Sequence, residues 1–178
     1  EREDGSAVRI ELIPNAVRLV ALGRILFYTI LCTLQFWLMV ALGLWILPLM
    51  GLPALFLGTH AAALIPVSIA IAFAATSFGY FAGAVFRTTN QAMPFGAISI
   101  VVLSAMGGLW VPVELLPPVM QKVAVISPLH WSLEAVHHII LRNANIGSVA
   151  PHILFLLCFG LVLWTISAYT NISRKKGI

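Results

Sequence analysis

Residues 25–47 read ILFYTILCTLQFWLMVALGLWIL and contain no charged side chain. A helix rising about 1.5 Å per residue over this stretch crosses a hydrocarbon layer about 30 Å thick. One amide, Gln35, falls in its middle. The remainder of the chain is of the same kind. Of 178 residues 61% are hydrophobic and 9% charged, and the mean hydropathy is +1.02. Soluble domains do not have this composition, so the fold class is all-α integral membrane.

Working outward, the charges come in clumps. Glu1, Arg2, Glu3, Asp4, Arg9, Glu11, Arg18 and Arg24 crowd the start, and the next charge is Arg87. Then come Glu114, Lys122, Glu134 and Arg142, and finally Arg174, Lys175 and Lys176. The gaps predict four transmembrane helices over 25–47, 61–86, 93–111 and 153–169, within one domain covering 1–178. A turn marked by Pro48 and Gly58 separates the first two. Four crossings put the start, Arg87 and the tail 170–178 on one side, with most of the basic residues. The positive-inside rule makes that side cytoplasmic. The net charge of +4 is therefore a matter of topology and not a nucleic-acid signal. Cys32 and Cys158 fall in different apolar segments and read as small packing residues. The five tryptophans lie mostly near the predicted interfaces, as an aromatic belt would have them.

Between the third and fourth spans lies GGLWVPVELLPPVMQKVAVISPLHWSLEAVHHIILR, residues 107–142. It is too rich in proline and polar groups to span and too apolar for an ordinary loop. Pro112, Pro117, Pro118 and Pro128 divide it, since proline lacks an amide hydrogen and disfavours helix in the preceding residue. Ser127-Pro128 is a helix start, with serine as N-cap and proline at the first helical position. Two short helices on the outer side are predicted, re-entrant or interfacial over 112–142. Irregular backbone at membrane depth survives only against protein or a water-filled cavity. The stretch therefore reads as an outer gate.

Three further features bear on function. Ala75, Gly79 and Gly83 form a small-xxx-small row suited to close helix packing. Gln35 either lines a pathway or holds helices together, and the second use is favoured. His130, Glu134 and His138 share one helix face, with His137 beside them and His60 and His152 on the same outer side. Such a face could hold a divalent metal. The plainer reading is a set of headgroup-level polar residues, with Glu134 paired to His138 or capped by neighbours, and it is preferred.

The start of the chain, 1–22, reads EREDGSAVRIELIPNAVRLVAL. Ser6 can cap a helix with Val8, Ile10, Leu12 and Ile13 on its apolar side, and Pro14 ends it. Such a helix can lie on the membrane surface or dock on a cytoplasmic partner. Its mixture of acids and bases favours the partner.

These residues resemble the membrane subunit of ABC-2 type exporters. The family's coupling segment opens on an acidic-Arg-acidic triplet, then Gly-Ser/Thr, leucine and proline. Here those are Glu1, Arg2, Glu3, Gly5, Ser6, Leu12 and Pro14, followed by Gly23-Arg24 and Tyr28, with Gln35 matching a family glutamine. In the outer stretch, Gly107, Gly108, Pro112, Leu116, Pro117, Pro128, Trp131, Leu133, Glu134 and Arg142 fit the family pattern. Two positions depart from it: Leu19 stands where many members carry glutamate, and Ile13 precedes the proline in place of a small or hydroxyl residue.

The resemblance implies residues 1–18 as a cytoplasmic coupling segment docked on a separate ABC ATPase. It also implies a second permease half, identical or related, and an outer gate that opens for an amphiphilic substrate. ATP and Mg would belong to the ATPase chain, since this chain carries no phosphate loop and holds no cofactor or catalyst of its own. Two further spans would precede residue 1, in keeping with a chain that opens on Glu1. The implied location is the bacterial inner membrane, with the coupling segment and C-terminus cytoplasmic. Two rivals come from other classes: a membrane metal or haem protein using the outer histidines, and a non-transporting scaffold.

Overall fold

A computed structural model describes residues 16–53, 57–86 and 88–176. Among them every regular element is helical. Four helices are long and apolar enough to cross a membrane: α1 (Ala16–Leu49), α2 (Leu64–Val85), α3 (Thr89–Met106) and α6 (Ile146–Lys176). Two short helices, α4 (Pro118–Ala124) and α5 (Pro128–Ile140), lie between α3 and α6, and single 3-10 turns occupy Ala61–Ala63 and Val113–Leu115.

Proline sits where helices tolerate it. Pro48 falls in the last turn of α1, and the chain reverses at Gly51 with φ +75°. Pro94 and Pro151 fall near the starts of α3 and α6, so each removes only one internal hydrogen bond. The fourth helix thus begins at Ile146, ahead of the predicted residue 153, and passes through Pro151. The third ends earlier than predicted, at Met106 and not near Val111. There Gly107 donates its N–H to Leu103 O at 2.8 Å, and Gly108 follows at φ +86°. Gly107-Gly108 therefore terminates the span and is not a kink within it.

Helix α2 is the centre of the bundle. Its apolar window is 44% buried, against 6% for α1 and for α3. One core cluster joins Ala63, Leu64 and Val67 to Ala135 and Ile139 of α5 and to Val149 of α6. A second joins Ala70 and Ala74 to Leu156. Helix α1 is fastened by Trp37, whose Nε1 donates to Ser68 Oγ at 3.2 Å, while Ser68 Oγ donates to Ile65 O at 2.8 Å. The Trp37 N–H is thus spent inside the protein and not at an interfacial belt.

Helices α2 and α6 approach closely at Gly160. A Cβ there would stand 2.6 Å from Phe73 Cε1 and 3.4 Å from Ala74 Cα. The row Ala75, Gly79, Gly83 was expected to pack a neighbouring helix, but within the described chain it does not. A Cβ on Gly79 or Gly83 would meet nothing within 4 Å. Ala74 and Ala75 are one residue apart, about 100° round the helix, and only the first faces α6. Gly160→Val should therefore cost about 1–3 kcal/mol through overpacking, read as a lower melting temperature in detergent. Gly79→Ala should leave the isolated chain's melting temperature unchanged or slightly raised.

Candidate functional site

The segment joining α3 to α6 is built on one junction. Ser127 occupies the N-cap position of α5, but its hydroxyl does not cap that helix. It is fully buried, and its Oγ donates to Leu103 O at 2.9 Å, in the last turn of α3. The carbonyl that accepts from Gly107 thus also holds the start of α5. A Cβ on Gly107 would stand 2.8 Å from Leu103 O, 2.9 Å from His130 N and 3.1 Å from Ser127 Oγ, so only glycine fits. Gly108 is held close by Val113, whose Cγ2 leaves no room for a side chain. Among the expected gate residues, Gly107, Gly108 and Pro128 therefore meet at this junction. Pro112 precedes the 3-10 turn, and Pro117 and Pro118 start α4. Gln121 Nε2 donates to Leu116 O at 2.8 Å, folding α4 back on that turn.

Helix α5 lies against α6 through polar and aromatic groups. Glu134 Oε2 stands 3.4 Å from His130 Nε2 and 3.5 Å from His152 Nε2. The pairing of Glu134 with His138 raised from the sequence is not what forms. Arg142 instead donates from its guanidinium to His138 Nε2 at 3.0 Å. His152 comes from α6, so spacing along α5 could not reveal it. Its ring lies 5.3 Å from that of His138 and 5.2 Å from Trp131, and its buried Nδ1 has no hydrogen-bond partner among the described residues. Trp131 stacks on Phe155 at 4.7 Å and donates its Nε1 proton to Val125 O at 2.7 Å. Burial, followed by the Arg142 charge, holds the His138 pKa below the ordinary histidine value, against a smaller opposing pull from Glu134.

The turn after α5 is tied to the turn after α1. Asn143, at φ +49°, accepts from the His60 N–H at 3.3 Å and donates to Thr59 Oγ1 at 3.0 Å. Gly58 lies directly against its side chain.

Gln35 is exposed into a groove of about 290 Å³ between α1 and α2, shared with Cys32, Phe36, Met39, Ser68 and Ala75. No hydrogen bond to its amide is formed among the described residues, so the role of interhelical glue is not filled there. Among the described residues no group of three or more His, Cys, Asp or Glu stands close enough to hold a metal ion. The coupling residues Glu1, Arg2, Glu3, Gly5, Ser6, Leu12 and Pro14 lie outside the described residues.

The geometry is that of a membrane bundle in which the segment joining α3 to α6 is pinned at two points, Ser127 to α3 and Asn143 to the first loop. Residues 1–169 match the family model described as ABC-2 family transporter protein, and the chain belongs to that family. A stretch of 105 residues, 59% of this chain, is 25% identical to the linearmycin resistance permease protein LnrN of Bacillus subtilis (strain 168). The match covers 27% of that relative's length. No solved structure matches the chain.

Removing the Ser127 hydroxyl takes away one buried bond, and Leu103 O keeps its bond from Gly107. Ser127→Ala should therefore cost about 1 kcal/mol. Gly107→Val, which displaces the backbone of two helices, should cost at least about 3 kcal/mol. Thermal unfolding in detergent would rank the two.

Proposed function

We propose that this chain is the transmembrane permease subunit of an ATP-driven exporter that moves an amphiphilic substrate out of the cytoplasm. The observation that carries the reading is the family match over residues 1–169. The relative's name concerns resistance to linearmycin, which favours a drug-like amphiphile over the lipid and glycan classes. ATP and Mg act on a separate ABC ATPase, and a second permease half completes the pathway. The basic residues support an orientation in the bacterial inner membrane. Arg2, Arg9, Arg18, Arg24, Arg87, Arg174, Lys175 and Lys176 would face the cytoplasm, with only Lys122 and Arg142 opposite.

In this reading a push on residues 1–14 passes into α1, which leans on α2 through Trp37 and Ser68. Helix α2 carries α5 and α6 through the shared core, so tilting it moves the outer connection as a unit. Ser127 and Gly107 are the pivot where α5 turns against the end of α3. Gln35 offers an amide to a substrate in the groove between α1 and α2, where a passing polar group would find the only side-chain amide of that wall.

The test is co-purification of the full-length protein from detergent. An ATPase chain should come with the wild type, and Glu1→Ala/Glu3→Ala should lower its recovery by about tenfold or more, the effect of losing charge-assisted hydrogen bonds at the interface. A wild type that brings down no nucleotide-binding chain in several detergents would sink the transporter reading.

A further inference from the structure

We propose that the C-terminal end of α5 carries an acid-released latch, closed while His138 is neutral and opened when it takes up a proton. Arg142 fixes the state of the ring. A guanidinium has only donors, so its 3.0 Å contact requires an unprotonated Nε2 on His138. The ring must then be neutral, with its one hydrogen on Nδ1. A second proton would set N–H against N–H and cation against cation, and the contact would be lost.

Each element packed around His138 bears on its charge. On α5 and the turn after it, Arg142 and His137 oppose a charge on His138, while Glu134 and the C-terminal end of the helix dipole favour one. On α6, His152 opposes it. Helices α2 and α3 add no charge here: the only ionisable residue of Leu64–Val85 is Tyr80, near its far end, and Thr89–Met106 has none. The exposed His60 meets this region through its backbone N–H. The balance holds His138 below the ordinary histidine pKa.

What the latch secures follows from the backbone. Ala144 N–H donates to His138 O at 2.9 Å, folding the turn back on the same residue. Asn143 within that turn holds Thr59 and the backbone of His60. Asn145 Oδ1 accepts from Ile146 N–H at the start of α6. Arg142 lies between His138 and Asn143 in the chain, so releasing its side chain frees the turn 141–145 that these bonds hold.

The sign follows from linkage. The latched ring binds its proton less tightly than a free imidazole. Between that lowered pKa and about 6.5 the latched state therefore holds fewer protons, and falling pH draws the population to the open state. Above about pH 6.5 the latch is indifferent to pH. That the acid arrives from outside the cell rests on the proposed orientation. The latch itself does not.

Hydrogen–deuterium exchange of the full-length protein in lipid nanodiscs, corrected for the chemical effect of pH on exchange, reads the latch without any transport assay. Opening of residues 141–145 should be flat from about pH 7.5 to about 6.5 and, as pH falls further to about 5, rise by up to about tenfold per pH unit, the limit for one proton. His138→Gln keeps an acceptor for Arg142 but takes no proton, and should flatten the profile. His137→Gln should keep the wild-type slope. A flat wild-type profile, or a His138→Gln profile with the wild-type slope, overturns the proposal. Should His138→Gln not fold, nitrogen-15 histidine spectra of the wild type decide, assigned through the other four histidine variants. A His138 ring protonated at Nδ1 and titrating below the ordinary value supports the latch, and one protonated at Nε2 overturns it.

Discussion

The close approach of Ser127 and Gly107 at the carbonyl of Leu103 organises the segment between α3 and α6. A helix end leaves carbonyls without partners, and in a membrane protein water is not freely available to supply them. Here α3 ends on glycines, and its last-turn carbonyl accepts both from Gly107 and from the side chain of Ser127 at the start of α5. One acceptor therefore ends one helix and positions another. The absence of a Cβ at Gly107 allows the two backbones to come that close.

From that point the arrangement of the remaining elements follows. Helix α5 is held at its start by Ser127 and along its length by the core it shares with α2 and α6. Its end is held by Asn143 against the loop after α1. Helices α1 and α3 keep broad apolar faces exposed, as helices do that face lipid or another subunit. The polar groups collect instead where α5 meets α6, with a half-exposed Glu134 between two imidazoles. The apolar core thus joins α2, α5 and α6, and the polar groups gather along one edge of it.

How much of this the sequence discloses depends on whether a feature is local. The four spans are legible because hydropathy summed over a long stretch does not depend on neighbours, and the helices are found there. Glycines are less readable: Gly107-Gly108 has the look of a packing site or a kink, whereas the structure makes it the end of α3, against Ser127 and His130. The row Ala75, Gly79, Gly83 has the right spacing, but spacing does not say which side of α2 meets α6. Gly160 and Ala74 make that contact. Local rules made Ser127 a cap for its own helix, and a tertiary acceptor took the hydroxyl. Glu134 was readable as a polar centre, but its partner His152 belongs to another helix, and no pattern along α5 points to it.

The central claim is topological: residues 107–142 lie on the opposite side of the membrane from the connection between α2 and α3. In a background with Cys32 and Cys158 replaced by alanine, Thr88→Cys and Gln121→Cys would be probed with a membrane-impermeant maleimide on intact cells. The account predicts labelling of position 121 from outside and of position 88 only after permeabilisation. Labelling of both from the same side would contradict it.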